Sequence, residues 1–388
     1  DASALWLAAA EAVSEPAYEA DARLLPVVGH PNIDAPELEP DPELPEIGQP
    51  WVYDLAAEKF LAKYAGILAT VHEAAALGGE ARYPAEFEKG IAMSLDAQIH
   101  LRAVARLLAL EREVYLRRGD AHGAVGSIRA IFALARSLKR EPILLAELLR
   151  VVFDGQACEG LQRLLLKVEA SDDDLLAIDH DLAALEYHRQ VHSAMLGERV
   201  LGLRSFDDPD LLDLIGDDVP NVLVWRLFRP ADRSVFLQCM RELVAASDAS
   251  DYASLRAAVD RAQRDISAVV EAPSARWRYP MSKMLLPSLD SMAGAVGRGT
   301  ARREVARTAI AVERFRRAKG RVPAGLEELV PDFIPHMPSD PFTGGPLHWT
   351  VTEDEYRIYS VGANGIDEGG AVEEAGDEGD IFFRGRQR

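Results

Sequence analysis

The sequence predicts a mainly α protein: an irregular, repeat-like α-helical domain followed by a small α+β domain with a short antiparallel sheet. Apolar residues recur at helical spacing almost without a break from about Tyr53 to Lys319, as in amphipathic helices that pack through one face. Strand-like patterning appears only after about residue 345. The composition also shifts near Gly297 and Gly299, and 301–321 holds eight basic residues and two acidic ones in a chain of net charge −20. Three units result: an N-terminal helix with a Pro-rich acidic strap (1–50), a helical domain (51–299) and a C-terminal α+β domain (300–388).

A short amphipathic helix lies within 1–20, with Leu5, Ala8, Ala9, Ala12 and Val13 on one face. Between Pro26 and Pro50, repeated prolines interrupt any helix, and acids from Asp34 to Glu46 stand without one Lys or Arg. This segment reads as an extended strap over the body, with a partner-binding segment as the other reading. The stretch 54–77 reads as one helix that Gly78-Gly79 stops. Ile91, Leu95, Ile99, Ala103, Leu107, Leu110 and Val114 set a helix over 91–118, and Val125, Ile128, Ile131, Phe132 and Ala135 set the next over 121–138.

Residues Leu107 to Leu138 resemble a tetratricopeptide unit: a leucine-rich helix, Tyr115, the Gly119-Asp120 turn, then small Ala124 and Ala130. Such small residues let two helices approach closely. One copy is legible, so the reading is a repeat-like hairpin and not a solenoid. Pro142 sits in the first turn of a further helix, where its missing N–H costs nothing. Ser171 followed by Asp172, Asp173 and Asp174 starts another, with a capping hydroxyl and acids at the positive end of the helix dipole.

Helices are expected near 175–202, 209–216, 230–248, 251–270, 281–296 and 301–319, with Gly294 to Gly299 as a hinge between the last two. Val305, Ala309, Val312 and Phe315 mark one face of helix 301–319, and Gly320 ends it. A short helix at 326–330, strands at 347–351 and 356–361 around a turn at 352–355, and an acidic glycine-rich tail from Gly362 to Asp380 complete the chain.

Of 388 residues, 48% are apolar and 27% charged, the composition of a folded globular chain. A net charge of −20 repels phosphate backbones, which argues against a nucleic-acid partner. No run reaches the ~18 apolar residues of a membrane helix. Cys158 and Cys239 cannot form a disulfide scaffold or a cysteine-rich zinc module. They read as two buried thiols or, in an oxidising compartment, one disulfide. The start at Asp1, without Met, reads as trimmed, which leaves room for a removed signal or anchor.

The segment from Ala301 to Asp380 resembles the globular part of the major pseudopilins of type II secretion. The features come in the family's order: a long helix, Gly320-Arg321-Val322-Pro323, Gly325 to Val330, Pro338-Ser339-Asp340-Pro341, then a hairpin ending in Tyr356 to Gly365. An acidic loop closing with Asp380-Ile381 follows. Over 82–140 and 301–383 the chain is similar to a group of exported planctomycete-type proteins of unknown function, which join a helical body to a pseudopilin-like tail. That resemblance implies an extracytoplasmic home, in the periplasm, the cell envelope or secreted. The family's apolar anchor helix has no counterpart here, since the helix before the domain carries Arg302, Arg303, Arg307, Arg314, Arg316, Arg317 and Lys319.

Between Gly362 and Asp380 lie Asp367, Glu368, Glu373, Glu374, Asp377, Glu378 and Asp380, with no Lys or Arg. Calcium needs six to eight oxygens, which acidic loops supply through carboxylates and carbonyls; a merely solvated loop is the competing reading. The resemblance implies a calcium loop that begins at Asn364 and ends at Asp380, and Asn364, Asp367, Asp377 and Asp380 are the expected metal ligands. Asn364 replaces the family's usual Asp, and the loop is longer than the family's.

No catalytic constellation is legible. G-x-S-x-G, a phosphate loop and G-x-G-x-x-G are all missing. His188 and His192 stand at i, i+4, with Glu186, Asp181 and His180 upstream, but residues 189–191 lack the Glu of H-E-x-x-H. Trp277, Tyr279 and Pro280 with Arg276 and Arg278 read as a packed loop or as a grip for a sugar or peptide. The expected function is a non-catalytic envelope or extracellular scaffold that engages protein partners through its helical body. The alternatives are a metal-dependent hydrolase at His188 and His192 and a component of a type II secretion or pilus-like apparatus.

Overall fold

The computed structural model describes residues 2–29, 44–45, 48–208, 222–249, 251–272, 275–287, 289–353, 355–370 and 379–386, without the side chains of 188, 222–226, 276, 277 and 289. The apolar periodicity becomes α1 (Ala2–Val13), α2 (Pro16–Ala22), α3 (Asp54–Lys63), α4 (Ala65–Leu77), α5 (Asp96–Arg117), α6 (Ala121–Ser137), α7 (Leu144–Lys167), α8 (Asp172–Ala183) and α9 (His188–Ser205). There follow α10 (Val222–Ala246), α11 (Tyr252–Val270), α12 (Ala275–Arg278), α13 (Pro280–Leu285) and α14 (Leu289–Lys319). Three strands close the chain: β1 (His348–Val351), β2 (Glu355–Ser360) and β3 (Ile381–Arg386). The expected helix at 209–216 lies outside the described residues.

Helices α5, α6 and α7 pack in succession, and α1 and α4 cover α5. The α5–α6 hairpin turns where Asp120 Oδ1 accepts a hydrogen bond from the Gly123 N–H at 2.9 Å and so caps α6. A Cβ on Gly123 would lie 2.6 Å from the Tyr115 ring, so the missing side chain sets how closely the helices approach. Buried Glu113 ties α5 to α7. It accepts from Arg163 of α7 at 2.8 and 3.0 Å and from Arg117 at 2.8 Å. Arg117 also donates to the carbonyls of Pro45 and Gln49 and stacks over Trp51. The end of the strap is thereby fixed to α5; residues 30–43 and 46–47 lie outside the described residues.

Helix α7 buries three further charged groups, Glu147, Arg150 and Asp154. Arg150 donates to Glu147 at 2.6 Å, while both Asp154 oxygens are buried without a hydrogen-bond partner. Cys158 and Cys239 are buried free thiols.

Several expected boundaries move. The stretch 54–77 is two helices broken at Tyr64, whose hydroxyl leaves the helix axis to bond Asp21 at 2.7 Å. The stretch 175–202 is likewise two, α8 and α9. The hinge expected at Gly294 to Gly299 does not form: α14 runs unbroken through it, so the expected boundary between 299 and 300 falls inside a helix. Those glycines serve packing instead. A Cβ would lie 2.6 Å from the Tyr252 ring at Gly297 and 3.0 Å from the Tyr187 ring at Gly299.

The basic stripe of α14 has a structural partner in α8. Arg307 pairs with Asp179 at 2.8 Å and Arg314 with Asp172 at 2.9 Å, and Arg303 donates to the Leu185 carbonyl at 2.7 Å. Ser171 caps α8 as expected, accepting from the Asp174 N–H at 3.1 Å.

The sheet is antiparallel with order β1-β2-β3. Val305, Ala309, Val312 and Phe315 of α14 are all buried, and the Phe315 ring, 3% exposed, meets Phe333 at 5.4 Å. Tyr356 of β2 donates to Glu313 of α14 at 2.7 Å, and Arg316 holds the other Glu313 oxygen. Buried Asp340 accepts from Phe342 N–H, Ser360 Oγ and Val361 N–H at 2.8, 2.9 and 3.0 Å. It ties the Pro338–Pro341 turn to the end of β2. Among the described residues, no helix is long and apolar enough to cross a membrane.

Candidate metal centre in the acidic loop

After β2, glycines at 362 and 365 take left-handed backbone (φ +67° at each) and turn the chain back on itself. Asn364 Oδ1 accepts from the Ile366 N–H at 2.9 Å, and its Nδ2 donates to Glu368 Oε1 at 2.8 Å. Glu368 and Asp380 then bond reciprocally. Asp380 N–H donates to Glu368 Oε2 at 2.9 Å, while Asp380 Oδ2 accepts from the N–H groups of Glu368 and Gly370 at 3.0 and 2.7 Å. This exchange closes the base of the loop and sets the start of β3.

Of the expected ligands, Asn364 and Asp380 are brought together, with Glu368 as the link between them. Asp367 is held elsewhere. Its Oδ1 accepts from Tyr359 and from the Gly369 N–H, and its Oδ2 faces His348 at 3.4 Å. The His348 ring stacks on Tyr359. Burial, with the Asp367 charge beside it, pushes the Tyr359 hydroxyl up to about 12. Asp377 lies outside the described residues. Glu368 is not among the ligands expected from the sequence, although it stands four residues after Asn364.

Asp380 is 9% exposed, and its Oδ1 is buried without a hydrogen-bond partner. Burial raises the pKa of this carboxyl, and the nearby charges of Glu368 and Asp367 add to the rise against two backbone N–H bonds. Arg357 touches the Gly369 carbonyl, but its guanidinium pairs with Glu355 at 2.6 Å. Among the described residues, neither Asp380 nor Glu368 forms an ion pair, and both Glu368 oxygens accept hydrogen bonds, from Asn364 and from the Asp380 N–H. The described residues contain no ready-made cluster of three or more His, Cys, Asp or Glu around a cation position.

At the histidine pair, the side chain of His188 lies outside the described residues. His192 Nδ1 sits 3.3 Å from Ser247 Oγ, which itself donates to the Val244 carbonyl at 2.7 Å. Asp181 is taken up by Arg129 and Arg136 at 2.7 and 3.0 Å. Around the expected aromatic cluster, α12 and α13 are short helices joined at Tyr279, and Arg278 lies over the Phe228 ring, while the side chains of Arg276 and Trp277 lie outside the described residues. The chain matches no protein-family model, no curated protein and no solved structure.

Proposed function

We propose that this protein is a non-catalytic scaffold of the cell envelope or extracellular space, with a calcium-stabilised pseudopilin-like C-terminal unit. The observation that supports it is Asp380 Oδ1, a buried carboxylate oxygen with no partner at the base of an acidic loop. An unpaired buried charge is costly, and a divalent cation removes that cost. Calcium held by Asp380 and Glu368 would fasten the end of β2 to the start of β3, and so steady the sheet on α14. The helical body offers protein partners its outer faces. The order of long helix, proline-rich turn and antiparallel hairpin supports the likeness to pseudopilins, and the extracytoplasmic placement rests on the sequence resemblance. Docking on a type II secretion or pilus-like apparatus is a narrower form of the same reading.

The test is metal analysis of the purified protein, with melting curves in chelator and in excess calcium. Calcium at a hundred times its dissociation constant adds ~2.7 kcal/mol of stability, and Asp380→Asn abolishes the shift. An unchanged melting temperature in the parent protein removes calcium from the proposal. The hydrolase reading rests on His188, whose side chain lies outside the described residues, and residues 189–191 lack the Glu of H-E-x-x-H.

A further inference from the structure

A cavity of about 530 Å³ opens where α7, the middle of α14 and the start of β3 meet, within the size range of small-molecule sites. Arg298 and Arg302, one turn apart on α14, line it together with Glu159 and Asp380. Among the described residues, no ion pair joins any of these four. Neighbouring arginines of the same helix are paired: Arg303 with Glu304, Arg307 with Asp179, Arg314 with Asp172. In a chain of net charge −20, two guanidiniums without a carboxylate partner in one cavity are conspicuous.

The walls are fitted to these groups. A Cβ at Gly155 of α7 would lie 3.2 Å from Arg302 Nη1, so the bare backbone makes room for the guanidinium. Val152, half exposed, stands with Ile381 and Phe382 as an apolar wall. The two acids oppose a polyanion, and the two guanidiniums oppose a simple cation. A ligand that carries both signs satisfies both.

We propose that this cavity binds a zwitterion of the amino-acid type with an apolar side chain. Arg302 and Arg298 hold the carboxylate through charge-assisted hydrogen bonds. The ammonium lies on the side of the cavity that carries Glu159 and Asp380. The side chain covers Val152, Ile381 and Phe382. This assignment does not depend on calcium in the acidic loop, and the test is therefore run in chelator.

The full chain is titrated calorimetrically with leucine, valine, methionine and phenylalanine, and with isocaproate and isoamylamine, the deaminated and decarboxylated counterparts of leucine. At least one amino acid binds, and where leucine binds, each counterpart binds about tenfold more weakly or worse. Arg302→Met weakens binding by about tenfold or more, while exposed Arg317→Met leaves it unchanged. Arg298→Met replaces Arg302→Met if circular dichroism shows that the latter does not fold. Silence across all four amino acids overturns the proposal. So does isocaproate binding as tightly as leucine, or affinity that survives in the arginine variants.

Discussion

Replacing Asp154 by Asn tests the buried charge of α7. Asp154 is 1% exposed, and neither carboxylate oxygen has a hydrogen-bond partner. Burial pushes the carboxyl from its ordinary 3.8 up to about 7; the Arg150 charge opposes that rise only in part. A native pKa above the unfolded one means that the folded protein binds the proton more tightly. Stability from this group is therefore full below about 3.8, falls as pH rises through about 7, and then levels off. Three pKa units at about 1.36 kcal/mol each put the total fall on the order of 4 kcal/mol. Asp154→Asn keeps the shape and cannot ionise. Near the lower limit the two proteins should unfold at similar denaturant concentrations, whereas at about pH 8 the variant should be the more stable by several kcal/mol. Urea unfolding followed by circular dichroism at a series of pH values measures this. Parallel stability curves across that range would refute the reasoning, because they would mean that Asp154 is ionised and well solvated in the folded protein.

Phe315→Ala should cost ~3–5 kcal/mol, since it empties a buried ring site against Phe333; Phe315→Leu should recover much of the loss in the same urea titration. Gly197→Ala should prevent native packing of α9, because a Cβ there would collide with the Pro142 carbonyl; unchanged thermal melting would show that contact to be wrong. His72 Nε2 donates to the Glu111 carboxylate at 2.8 Å, and chiefly this bond raises its pKa above 6.5. The pair's contribution is complete below about 6.5 and fades as pH rises through the raised native value. In an NMR titration Glu111→Gln should move the His72 midpoint downward, and an unmoved midpoint would mean that the pair does not form in solution.

Much of the architecture is legible because it rests on local signals. The Gly119-Asp120 turn, the Ser171 cap and the buried face of α14 all follow from residue types at fixed spacing. Strand β3 is not legible. Ile381-Phe382-Phe383-Arg384-Gly385-Arg386 has no polar–apolar alternation at its start, and Gly385 looks like a breaker. In the fold Gly385 stands opposite Tyr356 in the register, and a Cβ there would collide with that ring. The glycine thus makes space for the hydroxyl that reaches Glu313.

The acidic loop is legible in composition but not in detail. Seven acids without a base mark it, yet whether Asp367 or Glu368 turns toward Asp380 depends on Tyr359 and on the backbone turns at 362–370. Similarly, Glu147, Arg150 and Asp154 read as ordinary helix charges, because nothing local reveals that α6, α9 and α14 cover them.

The unbroken α14 makes the protein a lever. Its 31 residues, at about 1.5 Å each, form a rod of about 46 Å. The body grips it where Tyr252 and Tyr187 meet Gly297 and Gly299, and the sheet grips its far end where Tyr356 meets Glu313. A pull or a twist on the sheet is carried along a ladder of backbone hydrogen bonds, with no joint to absorb it. The bearing of anything fastened to the sheet is then set by helical phase. One residue inserted between these two grips would swing the sheet by about 100° around the rod and break the pairs of Arg307 and Arg314 with α8. The length of this helix should tolerate insertion or deletion far less than the turns on either side of it.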